Sequence, residues 1–194
     1  CGNGDLAFAM EQLGAASVTG ADVHQENIDI CNKIKNKFNS KIKFETRDVN
    51  DLTVEYLKQF DTVMAFQCLS WTNCHVEFFK NTNKAGVHDL IMTETLKGLP
   101  AFDCMWDRAY NVRLPMLVLY HSEGYHYGGT GWKDNKTCLR AETNLPFWVE
   151  ALDYYGWYVQ DWSWQKNCTL NNIKPSIATY QTRFVFHCIT TTKK

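Results

Sequence analysis

The chain opens on Cys1-Gly-Asn-Gly-Asp, with Gly2 and Gly4 flanking Asn3. Glycines at that spacing permit a tight turn and let the backbone approach a ligand with no Cβ in the way. Asp22 follows about 20 residues later, where a carboxylate can accept hydrogen bonds from both hydroxyls of a ribose. Asp48 closes a second extended run, and Gln67 follows a continuous apolar one. A glycine turn alone is a weak signal. A glycine turn followed by two acids, each at the end of a strand, is a much stronger one for a nucleoside.

Candidates for a base or a substrate contact lie further on. Glu94 ends another apolar run, and Asp107, His121, His126 and Tyr127 fall in a segment rich in aromatic residues and glycine. For each of these an ordinary place in a loop or at a strand end is the plain alternative. The eight cysteines, at 1, 31, 68, 74, 104, 138, 168 and 188, include no CxxC pair and no Cys/His cluster at zinc spacing. They are read as reduced, structural thiols, and no metal site is expected. The tripeptides beginning at Asn135 and Asn167 match the glycosylation sequon, a pattern common by chance, and no signal peptide is visible.

The elements that must position these residues follow from periodicity. Leu6 to Leu13 reads as a short helix stopped by Gly14. Ser17 to Ala21 is a small β-tending run ending at Asp22. In Glu26 to Asn39, Ile28, Cys31, Ile34 and Phe38 recur at helical spacing, with lysines between. Lys41 to Glu45 alternates with period two, as a strand does. Thr53 to Phe60 is a short helix, and Thr62 to Phe66 is the unbroken apolar run of a parallel strand covered on both faces. Val76 to Lys80 belongs to a helix and His88 to Thr95 contains the next strand. Strict alternation of this kind means a parallel sheet wrapped by helices.

The second half changes character. Residues 96–142 hold a strand-like piece, Pro115 to Tyr120, and the glycine-rich stretch from Glu123 to Trp132. A helix from Leu145 to Tyr155 and two strands, Trp157 to Trp164 and Arg183 to Thr190, close the chain. With 194 residues, no internal repeat and no linker, a single domain with an insertion at 96–142 is expected.

Composition limits the function. Lys plus Arg number 20 against 21 for Asp plus Glu, a net charge of -1, which argues against dependence on a broad basic face for nucleic acid. Lys33, Lys35 and Lys37 read as a solvated helix face, and most of the seven tryptophans as packing rather than a stacking platform for bases. No apolar run reaches the roughly 18–20 residues that span a bilayer. A cytoplasmic protein acting on a small molecule is the expectation.

Four stretches carry a family resemblance: Cys1-Gly-Asn-Gly, Val18 to Ile28, Phe44-Glu-Thr-Arg-Asp-Val and Phe60 to Trp71. In order, they resemble the first four motifs of the class I S-adenosylmethionine-dependent methyltransferases. The likeness is good over residues 1 to 95 and weaker to the end. It implies a three-layer Rossmann-like α/β fold with a mostly parallel sheet and an antiparallel C-terminal strand. It also implies S-adenosylmethionine as methyl donor. By this resemblance Gly2, Asn3 and Gly4 lie under the methionine moiety and Asp22 holds the ribose hydroxyls. Val23 packs on the adenine, Asp48 meets its exocyclic amine, Val49 offers a backbone N–H to the ring, and Gln67 sits near the methionine end. The family supplies no fixed catalytic residue, so Glu94, His121 and His126 stand as the catalytic candidates.

A nicotinamide-binding reading of the glycine turn fits less well, because the third glycine of GxGxxG is replaced by Ala7 and Asp48 has no role in it. The family pattern also has an acidic residue two positions before the first glycine, at the end of a central first strand. That strand is absent from the sequence, and the natural chain is expected to carry it upstream of Cys1. Gln67-Cys-Leu-Ser-Trp71 lacks the Asn/Asp-Pro-Pro-aromatic signature of amino-methylating nucleic-acid enzymes, which favours a small-molecule acceptor. A lyase or aminopropyl-transferring enzyme on the same scaffold, and a non-catalytic binding module, are the rival readings.

Overall fold

A computed structural model describes residues 1–69, 72, 74–97, 106–107, 112–113, 117–123, 137–143, 145–166 and 181–190. Contacts divide the chain into two compact units, Cys1–Asp51 with Glu123–Cys138, and Leu52–Ser122 with Leu139–Lys194.

The first unit begins with α1 (Asp5–Gln12), β1 (Thr19–Asp22), α2 (Gln25–Phe38) and β2 (Lys43–Thr46), followed by a 3-10 turn at Val49–Asp51. β1 and β2 pair in parallel, Thr19 opposite Lys43 and Asp22 opposite Thr46, so both strands end on the same edge. Ala7, Ile28, Cys31, Ile42 and Phe44 form the buried core, with Phe8 and Val18 packed against it. The expected helical stripe of α2 is inward at Ile28 and Cys31, whereas Phe38, in the last turn, is exposed. Asn39 ends that helix in the left-handed region, at φ 52°, a conformation that asparagine tolerates better than most residues.

The second unit holds α3 (Val54–Leu57), β3 (Thr62–Phe66), α4 (His75–Lys84), β4 (Asp89–Lys97), α5 (Leu145–Tyr154), β9 (Trp157–Lys166) and β10 (Gln181–Thr190). Its sheet has the order β3-β4-β10-β9. β3 and β4 are parallel, and β10 runs antiparallel to both β4 and β9. The expected final antiparallel strand is therefore present, between β4 and β9. Ala65, Leu90, Met92, Phe186 and Cys188 are buried along these strands, and Phe78, Phe79, Trp148 and Leu152 are buried on the helices. The Trp157 indole N–H donates to the Phe79 carbonyl at 3.1 Å, tying the start of β9 to α4. Of the tryptophans singled out as packing residues, Trp148 and Trp157 are buried.

Within residues 96–142, β5 (Trp106–Asp107) pairs antiparallel with β6 (Val112–Arg113), and β7 (Leu117–Glu123) pairs with β8 (Thr137–Thr143). The order helix, strand, helix, strand read from periodicity over the first 97 residues is the order found.

Candidate functional site

The glycine turn forms the entry to α1. Gly2 and Gly4 have φ of 53° and 85°, values that favour glycine strongly, and the Gly4 N–H donates to the Cys1 carbonyl at 3.0 Å. Gly4 is the residue before the first turn of α1, and no side chain caps that helix. Its leading N–H groups, with their partial positive charge, suit an anionic group such as a carboxylate. A Cβ on Gly2 would meet nothing within 4 Å, so that face of the turn is open. At Gly4 a Cβ would press within 3.1–3.2 Å of Cys31, Phe8 and Phe44, because the turn rests on the core beneath it.

Asp22 ends β1 beside this turn. Its Oδ2 accepts from the terminal ammonium of Cys1 at 2.8 Å and from the Gly2 N–H at 2.7 Å. Its Oδ1 accepts from the His24 N–H at 2.9 Å and the Asn27 amide at 3.2 Å. Burial raises the carboxyl pKa, but donors at Cys1, His24 and Gly2 outweigh it and hold the group at about 2, so the side chain is ionised. Val23, the next residue, is exposed.

Asp48 follows β2 on the same edge. Its Oδ1 accepts from the Asn50 N–H at 2.8 Å, and its carbonyl accepts from the Asp51 N–H at 3.0 Å, closing the turn that contains Val49. Burial raises its pKa above the ordinary carboxylate value, opposed by the Asn50 N–H. The first unit thus brings together Gly2, Asn3, Gly4, Asp22, Val23, Asp48 and Val49 at the carboxyl ends of two parallel strands, the edge where ligands bind in open α/β sheets.

The second unit carries the remaining candidates. Gln67 leaves β3 with φ 52°, and its N–H donates to the Thr93 carbonyl at 2.7 Å. Glu94 lies in β4 opposite Phe184, His121 in β7 and Asp107 in β5. His126 and Tyr127 are outside the described residues. Among the described residues no group of three metal-ligating side chains could hold a metal ion.

Sequence reasoning missed the support beneath the turn. Gly20 faces Phe44 across the β1–β2 ladder, and a Cβ there would come within 2.7 Å of that ring. The Cys31 thiol lies 3.3 Å from the Gly2 carbonyl. Only Asn27 left a local signal, as a polar residue in the first turn of the helix that follows Asp22.

Residues 1–85 match the family described as "Methyltransferase domain". Among solved structures, an S-adenosylmethionine-dependent methyltransferase from Mesorhizobium loti is 14% identical, with 97% of this chain and 87% of that one covered and a TM-score of 0.64. The [4+2]-cyclase SpnF is 15% identical, covering 98% and 72%, with a TM-score of 0.65. The N-terminal domain of EvdMO1 with SAH bound is 13% identical, covering 94% and 68%, with a TM-score of 0.61. No curated protein sequence matches the chain.

Proposed function

We propose that this chain is a class I S-adenosylmethionine-dependent methyltransferase that transfers the methyl group of S-adenosylmethionine to a small-molecule acceptor. The observation that carries the reading is the ionised Asp22 beside an open glycine turn, with Asp48 on the same strand edge. These residues fit the donor. The uncapped start of α1 and the Cβ-free face at Gly2 suit the amino-acid moiety, Asp22 the ribose, and Asp48 with the Val49 N–H the adenine. The ribose hydroxyls would compete with the Gly2 N–H for Oδ2.

When bound, the donor would supply an electrophilic methyl carbon on a sulfonium, open to in-line attack by an acceptor heteroatom, with the C–S bond pair leaving on the sulfur of S-adenosylhomocysteine and the acceptor's proton passing to solvent. The chain's part is alignment and exclusion of water, and no obligatory acid or base is assigned. Glu94, His121 and His126 are proposed as acceptor-side residues and the 96–142 segment as the source of specificity, within a single methyltransferase domain. The near-neutral charge supports a small molecule over nucleic acid. A cytoplasmic location is proposed from the buried thiols Cys31 and Cys188; burial pushes the latter up to about 12, out of reach of thiolate chemistry.

Calorimetry with S-adenosylmethionine tests the binding step. Asp22→Ala is expected to weaken affinity by about 10-fold or more, the value of a charge-assisted hydrogen bond. Unchanged affinity would remove Asp22 from the site. Product analysis tests the reaction: S-adenosylhomocysteine supports methyl transfer, whereas methylthioadenosine would assign a lyase or aminopropyl transfer instead.

A further inference from the structure

The backbone of Asp22 is fixed by the sheet. It pairs with Thr46 across the β1–β2 ladder, and its carbonyl accepts from the Arg47 N–H at 2.9 Å. The ladder leaves the side-chain torsions free, so the aim of the carboxylate depends on what holds its two oxygens. Both Oδ1 donors come from the start of α2: the His24 N–H at 2.9 Å and the Asn27 amide at 3.2 Å. Two donors use both lone pairs of one carboxylate oxygen. Oδ2 faces the glycine turn instead, where the Gly2 N–H reaches it at 2.7 Å. One oxygen is committed to α2 and the other points to the turn.

Asn27 can hold that aim because the helix under it is anchored. It lies half-buried in the first turn of α2, beside Ile28 and one turn before Cys31, the two side chains by which the helix enters the core. The same turn is tied to the end of β2. The Thr46 hydroxyl donates to the Gln25 side-chain oxygen, and the Gln25 amide donates to Asp29 at 2.8 Å. Of the two donors to Oδ1, the His24 N–H is backbone and would be there with almost any residue at 24. The Asn27 amide is the one that depends on a side chain.

We propose that Asn27 is a positioning residue for the ribose of the donor, occupying Oδ1 so that Oδ2 is the oxygen Asp22 presents to the sugar hydroxyls. This rests on the methyltransferase reading and adds to it a residue that the reading leaves out. A carboxylate aimed in advance loses less side-chain freedom when the ligand arrives, and that saving appears as affinity. A side chain that orients a ligand-holding group from behind matters in the same way as the hydrogen bonds that fix a metal-binding histidine. The benefit of Asn27 is therefore confined to ligands with hydroxyls for Asp22 to hold.

The test is calorimetry with S-adenosylhomocysteine and with its 2′,3′-dideoxy analogue, on the parent, Asn27→Leu, Asp22→Ala and the double variant. Asn27→Leu keeps the bulk of the side chain and removes the amide. It is expected to weaken S-adenosylhomocysteine by about 3- to 10-fold, part of the worth of a hydrogen bond to a charged group. The dideoxy analogue is expected to stay within about 2-fold of its affinity for the parent. Added to Asp22→Ala, the second substitution is expected to change nothing further, as for two residues that act as a unit. Thermal melting checks that each variant is folded, and Asn27→Ala replaces Asn27→Leu in every comparison if the latter does not melt cooperatively. Unchanged affinity for S-adenosylhomocysteine would overturn the proposal. Equal losses for the two ligands, or a full loss in the Asp22→Ala background, would also overturn it, because Asn27 would then support the fold and not the aim of Asp22. Parent protein that binds neither ligand would overturn the methyltransferase reading and this role with it, whereas the other failures leave that reading standing.

Discussion

Gly20 shows how much of a binding loop depends on a residue that touches no ligand. Its missing Cβ leaves room for the Phe44 ring, and Phe44 in turn packs on Phe8, at 5.5 Å between centroids, under the glycine turn. Gly20→Ala would place a methyl 2.7 Å from that ring, closer than real contacts allow. Phe44 sits on a strand in a packed core and has little room to retreat. We expect a loss of about 1–3 kcal/mol, the usual range for overpacking, read by urea unfolding, together with weaker S-adenosylmethionine binding. A variant as stable as the parent would show that the ring moves freely. Gly2, Gly4, Asp22 and Asp48 were legible because each stands at a local pattern, a turn or a strand end. Gly20 and Cys31 were not, because their significance lies in which side chain faces them across 24 or more residues, and no local spacing records that. His75 was hidden for a similar reason: a histidine opening a helix reads as solvent-facing until Phe147 and Trp148 are brought over it.

At the scale of elements, the hydrophobic periods located the helices and strands of the first 97 residues, and differences are confined to their ends. β1 begins at Thr19 rather than Ser17 and runs through Asp22, because its ladder with β2 starts at the Thr19–Lys43 pair. α3 is only Val54–Leu57, since the chain folds back at once through a Phe60 N–H to Leu57 carbonyl bond of 3.0 Å to enter β3. β4 extends to Lys97 because β10 pairs with it along its whole length. Pairing across such sequence distances lies beyond any local pattern. One contact along that ladder is testable. At the start of β4, Asp89 Oδ1 meets His187 Nε2 of β10 at 2.7 Å, and Asp89 Oδ2 meets His88 Nδ1 at 2.8 Å. Burial pushes the Asp89 pKa up, but the two imidazoles outweigh it and leave the pKa lowered. A depressed carboxyl pKa contributes stability above its unfolded value that is lost as pH falls through the folded one. The groups are partly exposed and screened, so Asp89→Asn should cost no more than about 0.5–1 kcal/mol at pH 7 and nothing below pH 2. Denaturant titrations of both proteins at the two pH values check this, and an equal difference at both would show that charge plays no part.

For the whole molecule, the alternation of elements announced the α/β class, while its division into two units did not show: the boundary after Asp51 has no glycine- or proline-rich stretch, and the glycine-rich run that begins at Glu123 reads as part of an insertion. The units differ in a property that acid exposes. In the second, burial makes His75 titrate at about 4 when folded, against an ordinary value of 6.5. Between those values the unfolded chain binds the extra proton, so stability is fully present above about pH 7 and falls as pH drops from 6.5 toward 4. The loss amounts to roughly 3 kcal/mol for a shift of this size, a large part of the stability of a domain. In the first unit Asp22 stands at about 2 against 3.8, so its contribution is intact above 3.8 and is lost only as pH falls through that lower window. Acid should therefore loosen α4 and α5 before it loosens the strand edge around Asp22. Hydrogen exchange followed by mass spectrometry at pH 7, 5 and 3 reads the order directly, with faster exchange near His75 at pH 5 and near Asp22 only at pH 3. His75→Leu should abolish the first step and leave the second. Simultaneous loosening at both places, or a first step that survives His75→Leu, would show that protonation of this imidazole does not set the acid limit of its unit.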